Sequence, residues 1–187
     1  VYKRQSNIFL QEVPQVRLND DYDEMLLHLA KYMNTDLVWI HPSQTVNEGS
    51  LAYALNQMGI PTMVTESGSA FRIRYEYCRQ IIDGIFSVMA ELGIWKGKTN
   101  GKNDVPFINE DKICYLNCEF SGLFVSYKRL KDRVKKGEII GIIQNPLMGA
   151  TEEEVIAPVD GILMTLREHP SVAEGSLVAR AIGGGNL

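Results

Sequence analysis

The stretch Gly59-Ile60-Pro61-Thr62-Met63-Val64-Thr65-Glu66-Ser67-Gly68 delivers one carboxylate to the end of a short apolar run and follows it with a glycine. A carboxylate held at the end of a buried strand is suited to general-base work. It can take the proton of a metal-bound water. Gly68 leaves space for a substrate beside it. The competing reading is a structural ion pair with Arg72 or Arg74, since carboxylates also sit at loops for that reason. Those two arginines alternate with Phe71 and Ile73. Either could grip a substrate carboxylate through two hydrogen bonds, and so could Arg17, in Pro14-Gln15-Val16-Arg17. The opposing reading for all three is a solvated edge.

Residues that would hold a metal are scarce. The histidines are His28, His41 and His169. His28 has no histidine four residues away, and His41 and His169 each precede a proline. No His-x-x-Glu or His-Glu-x-x-His pair is present, so no metal ligand is expected in this chain. Cys114 and Cys118 share one face of a strand by the two-residue period. A zinc knuckle would bring a second Cys or His pair, so both read as core residues.

Elements must place these groups. Asp20-Asp21-Tyr22-Asp23-Glu24 precedes Met25, Leu26, Leu29 and Met33, which predicts a helix with acidic residues at its start. Residues 37–40 read as a buried strand. Residues 48–58 read as a second helix presenting Leu51, Ala54, Leu55 and Met58, with Gly59 as its C-cap. A strand over 62–65 carries the chain to Glu66. Residues 75–92 predict a longer helix burying Ile81, Ile82, Ile85, Val88, Met89 and Leu92. Helix, strand, helix, strand, helix indicates α/β layering around a mostly parallel sheet.

The pattern changes at Gly93. Residues 96–104 are polar and glycine-containing and read as a linker. Beyond them come short β-like runs at 113–118, 122–127, 138–143, 153–157, 161–167 and 176–182, separated by turn pairs such as Lys136-Gly137, Asp160-Gly161 and Glu174-Gly175. Such punctuation predicts a small all-β barrel or sandwich. The repeated units resemble the barrel-sandwich architecture of biotinyl and lipoyl domains. The hairpin tip is Val159-Asp160-Gly161 and has no lysine for a carrier group. The expected organisation is an α/β domain over 1–97 and a β barrel-sandwich domain over 98–187, with the tail at 183–186 frayed.

At 187 residues with 45% apolar composition, the chain can build one large or two small cores. A net charge of -4 and a pI near 5.4 give no broad basic field, which argues against nucleic acid as a partner. No apolar run approaches the roughly 20 residues that span a bilayer. Three cysteines do not make an even disulfide set, which fits a reducing, cytoplasmic setting.

Taken in order, Gly59-Ile60-Pro61, Thr65-Glu66-Ser67-Gly68, Gly122-Leu123-Phe124, Val134-Lys135-Lys136-Gly137-Glu138, Ala157-Pro158-Val159-Asp160-Gly161 and Pro170-Ser171-Val172-Ala173-Glu174-Gly175 resemble the C-terminal portion of the succinylglutamate desuccinylase and aspartoacylase family. These are zinc-dependent deacylases related to the zinc carboxypeptidases. The resemblance runs from about residue 14 to 182. It implies an incomplete zinc-carboxypeptidase-like α/β domain, followed by the barrel-sandwich. It implies Glu66 as general base, a zinc-bound water, and an amide or less often ester bond of an N-acylated amino acid or similar small molecule. The family's zinc ligands, a His-x-x-Glu pair and a later His, lie upstream of the glutamate strand and have no counterpart here. The expectation is therefore a C-terminal fragment of a larger gene opening at Val1. Zinc would belong to the full-length protein, and this chain alone would be inactive and aggregation-prone. The β region from Asp104 onward is expected to be the more self-sufficient part. The alternative is a non-catalytic barrel-sandwich binding or adaptor module in which Glu66 is an ordinary ion-paired residue.

Overall fold

The computed structural model describes residues 2–5 as backbone, and 8–43 and 48–184 in full. The expected frayed tail at 183–186 lies partly outside them. Two hydrogen-bonded sheets, of nine and four strands, make a mixed α/β molecule. The chain divides into two compact units. One comprises Val1–Gln5, Pro14–Gly68 and Arg72–Glu110, the other Ser6–Val13, Ser69–Phe71 and Asp111–Leu187. This division differs from a boundary at 97/98, because residues on both sides of the polar linker belong to the first unit.

The first unit contains β1 (Tyr2–Gln5), the second half of β2 (Leu10–Asn19), α1 (Glu24–Ala30), β3 (Leu37–His41), α2 (Leu51–Gln57), β4 (Val64–Gly68), α3 (Tyr75–Glu91) and β5 (Phe107–Asn109). Strand order is β1-β4-β2-β3-β5. The pairings of β1 with β4, β2 with β3 and β3 with β5 are parallel. The predicted local signals are present. Asp23 caps α1 by accepting from the Met25 N–H, and Ser50 does the same for α2 through the Tyr53 N–H. Gly59 follows α2 with φ +73°, the left-handed conformation that ends a helix most cheaply in glycine.

Helices α1 and α3 cover one face of this sheet. Val16, Leu18 and Val38 from the strands join Leu26, Leu29, Met33, Ile81 and Val88 from the helical side in one buried cluster. Helix α3 approaches the turn that follows α1 closely at Gly84, where an added Cβ would lie 1.9 Å from the Met33 carbonyl oxygen. Two expected helix faces differ from this arrangement. Ile82 and Leu92 of the predicted α3 face are 50% and 49% exposed. In α2 the buried residue is Ala52, while Leu51, Ala54 and Met58 face outward. Periodicity identifies apolar stripes correctly but not which of them has a neighbour to cover it.

The second unit is antiparallel. It holds β6 (Ile113–Asn117), β7 (Gly122–Ser126), β8 (Arg133–Val134), β9 (Ile139–Gln144), β10 (Thr151–Ile156), β11 (Gly161–Arg167), β12 (Ser171–Val172) and β13 (Leu177–Gly183). One ladder runs from residues 10–12 of β2 through β11 and β13 to β6, with β8 also on β11. The other has the order β10-β9-β7-β12. Their inward residues, among them Phe124, Ile140, Ile143, Leu163 and Val178, form a single core. Among the described residues no helix is long and apolar enough to cross a membrane.

Candidate functional site

Glu66 sits in the middle of β4 and is 4% exposed. Gly68, two residues on, has φ +67°, which lets the chain leave the strand sharply without the strain a side chain would bring there. The carboxylate partner is Arg17 of β2, whose Nη2 lies 2.5 Å from Glu66 Oε2. Glu66 is therefore ion-paired, and the partner is Arg17. A guanidinium at this distance offsets much of the cost of burying a carboxylate charge.

Arg17 is itself placed by register. It pairs across the parallel ladder with Trp39 of β3, and its guanidinium carbon lies 4.7 Å from the Trp39 ring centroid. Trp39 Nε1 donates to Glu110 Oε2 at 2.8 Å. His41, two residues along the strand and so on the same face, stacks on Trp39 with centroids 4.1 Å apart. Its Nδ1 lies 3.6 Å from Glu110 Oε2. A row of Glu66, Arg17, Trp39, His41 and Glu110 thus runs across β4, β2, β3 and the residue after β5, near the carboxyl ends of the parallel strands. In open α/β sheets that end is where ligands bind. Sequence reasoning misses Trp39, His41 and Glu110. The one local signal is Trp39 and His41 at strand spacing; Glu110 joins only through the pairing of β3 with β5.

Arg72 and Arg74 are elsewhere. They line a cavity with Ser67, Ile73, Tyr77 and the α3 residues Ile81, Ile82 and Ile85. Ser67 follows Glu66 in the strand, so the two side chains take opposite faces. Ile81 belongs to the core cluster of Val16 and Val38, on the face turned away from Arg17 and Trp39. Arg74 also lies over the Tyr77 ring, 6.0 Å from its centroid. The structure brings Arg17 to Glu66, and it places Arg72 and Arg74 in the cavity beside Ser67.

No family model matches the sequence, and no curated protein is similar to it. Solved structures are. The product-bound ectoine utilization protein EutE (DoeB) from Ruegeria pomeroyi superposes with TM-score 0.84 at 20% identity, over 97% of this chain and 57% of that one. A succinylglutamate desuccinylase from a Silicibacter species gives 0.82 at 21%, over 96% and 56%. A succinylglutamate desuccinylase/aspartoacylase from Rhodobacter sphaeroides gives 0.76 at 20%, over 99% and 59%. The chain has the succinylglutamate desuccinylase/aspartoacylase fold. It spans less than three fifths of the length of these structures.

Zinc, which the resemblance implies, needs several protein donors at one point. Among the described residues no three of His, Cys, Asp and Glu gather where they could hold a metal ion. His41 and Glu110 are together, and the side chain that both of them contact is the Trp39 indole, which is not a metal donor. The donors among the described residues do not fit the metal.

Proposed function

We propose that this chain is the portion of a deacylase that carries the general base, Glu66, for hydrolysis of an amide bond, or less often an ester. The substrate is an N-acylated amino acid or a similar small molecule. The observation that carries this reading is the Glu66–Arg17 pair: a carboxylate 4% exposed, held near the strand ends of a parallel sheet. The fold shared with proteins named as desuccinylases supports it. In the reaction, Glu66 accepts a proton from water as the water oxygen adds to the carbonyl carbon. The same proton then passes to the amine nitrogen as the carbon–nitrogen bond breaks, which leaves the carboxylate as it began. Arg17 fixes the direction of that carboxylate, and Trp39 fixes Arg17.

Zinc is assigned to the whole protein, on residues outside this chain. The second unit is read as a barrel-sandwich domain, its two antiparallel ladders enclosing one core. The three free thiols go with a cytoplasmic setting.

The test uses a protein completed to the length of the solved neighbours. Glu66→Gln keeps shape and hydrogen bonding and removes the base. Hydrolysis is expected to fall by about 10²–10⁴-fold, while the variant still unfolds cooperatively with a modestly lowered midpoint because Arg17 loses its counter-charge. Undiminished turnover in that variant would remove Glu66 from the chemistry.

A further inference from the structure

Glu110 opens a short 3₁₀ turn, Glu110–Lys112, directly after β5. Its neighbours in that turn, Asp111 and Lys112, pair with each other in solvent, whereas the Glu110 carboxylate reaches back over the sheet. Register sets that direction. Arg17, Trp39 and Ile108 are partners in turn across the parallel strands β2, β3 and β5, so their side chains share one face. His41 and Glu110 each come two residues later and stay on it. Glu110 Oε2 accepts the Trp39 indole N–H at 2.8 Å and lies 3.6 Å from His41 Nδ1. Trp39 is 1% exposed, so an acceptor within the protein replaces the water its N–H has lost. A carboxylate makes the stronger bond of that kind. Negative charge at the N–H also makes the ring richer in electrons and a better seat for a cation. The cation is Arg17, 4.7 Å from the ring centroid. His41, stacked on the same ring at 29°, opposes rotation of the indole.

We propose that Glu110 is a positioning residue for the reaction centre: through the Trp39 indole it fixes the angle at which Arg17 meets Glu66. The inference rests on Glu66 being the general base, and adds to that reading a residue that acts through two other side chains. A guanidinium gripped by one carboxylate can still pivot about the contact, and Arg17 keeps 22% of its side-chain surface in solvent. The face of Trp39 is a second hold that stops the pivot. The indole can serve only while its own plane is fixed, and the bond to Glu110 fixes it. Released, the ring would turn, Arg17 would follow, and the Glu66 carboxylate would address the attacking water from a different direction. Misplacement by about 1 Å is enough to cost roughly a hundredfold in rate.

Two readouts test it, the first independent of turnover. In this chain the Trp39 indole N–H and Arg17 Nε–H signals are assigned by nuclear magnetic resonance, through their loss in Trp39→Phe and Arg17→Lys. Glu110→Ala should shift both signals. Glu110→Gln still offers an acceptor oxygen and should leave the Arg17 signal near its place. In the protein completed to the length of the solved neighbours, Glu110→Ala should lower kcat by about tenfold to a hundredfold with KM unchanged. Glu110→Gln should recover much of that loss, since the amide oxygen still holds the ring, though less tightly. Glu110 keeps 32% of its side chain in solvent, so both variants should fold. A purely structural role would lower the melting temperature and spare the kcat of the folded enzyme. The proposal is overturned if the Arg17 signal stays in place in Glu110→Ala, if kcat does not fall, or if Glu110→Gln is as impaired as Glu110→Ala. Undiminished turnover in Glu66→Gln is a different failure: it removes the base reading, while a shifted Arg17 signal in Glu110→Ala still upholds the link from Glu110 to Arg17.

Discussion

Among the described residues each unit holds an arginine–glutamate pair, one between the neighbouring strands β2 and β4 and one reaching from β2 across β11 to β13, and the two pairs are built differently. In the antiparallel unit, Glu12 accepts from Arg180 Nη1 at 2.9 Å through one oxygen and from the Thr165 hydroxyl at 2.6 Å through the other. Arg180 rests on the Tyr115 ring, 5.0 Å from its centroid. Glu12 and Thr165 are register partners well inside a ladder, so this pair is enclosed by strands. In the parallel unit, Glu66 lies at the centre of the short strand β4 and Arg17 two residues from the end of β2, in a row that continues to a histidine at the end of β3 and a glutamate just past β5. The same two side chains form an internal fastening where a sheet surrounds them, and a candidate reaction centre where the sheet ends. Position in the sheet, rather than residue type, separates the two roles.

The comparison can be broken at several points. The largest effect is expected from removing the N-terminal strand that the antiparallel unit uses. A chain beginning at Asp104 loses residues 10–12, the ladder neighbours of residues 165–167, and leaves Arg180 and Thr165 without Glu12. Such a truncation should show no cooperative urea transition. A sharp transition with a normal slope would show that β6–β13 suffice without β2.

Next come the pairs themselves. Glu12→Ala strips the partner from a buried guanidinium and a wholly buried hydroxyl, and should cost about 3–5 kcal/mol in chemical denaturation. Glu66→Ala should cost less, about 1–2 kcal/mol, because the Arg17 side chain keeps 22% of its surface in solvent and retains the face of Trp39. Equal losses would erase the distinction between fastening and reaction centre.

The sequence discloses the second centre better than the first. Glu66 is legible because a local run, a carboxylate and a glycine lie within ten residues. The six longer strands of the antiparallel unit are legible because turn pairs bracket them. Strand β2 is not. Its buried positions include Glu12 and Gln15, polar residues inside because of partners far along the chain, so no alternation of apolar and polar survives to be read. Arg17 is recognisable as a candidate, but its pairing with Glu66 depends on β4 lying beside β2, which no local pattern states. Strands β8 and β12 have two residues each and leave no period at all.

Two smaller effects sharpen the parallel unit alone. Gly84→Ala should destabilise it by about 1–3 kcal/mol, since the new methyl meets the Met33 carbonyl and backbone must move; a neutral result would show that α3 and the turn after α1 can separate freely. The smallest effect is acid-dependent. Hydrogen bonds from His28 and then Tyr32 hold the Glu91 carboxyl below the usual glutamate range. A lowered folded value contributes stability above the unfolded pKa and loses it as pH falls through the folded one. Glu91→Gln should therefore lower the urea midpoint slightly at neutral pH and leave it unchanged in strong acid. A difference that persists in acid would assign the effect to packing instead.

Strand β2 sets a timetable. Glu12 meets Thr165 153 positions later and Arg180 168 positions later. At about 5–20 residues per second of synthesis, the ribosome needs on the order of ten to thirty seconds to deliver those partners. Through that interval the first residues of β2 have no partner for their antiparallel ladder. An emerging chain with an unsatisfied strand and a stranded carboxylate is a natural client for a ribosome-associated chaperone. The yield of folded protein should then depend on how fast the codons for β11 through β13 are read.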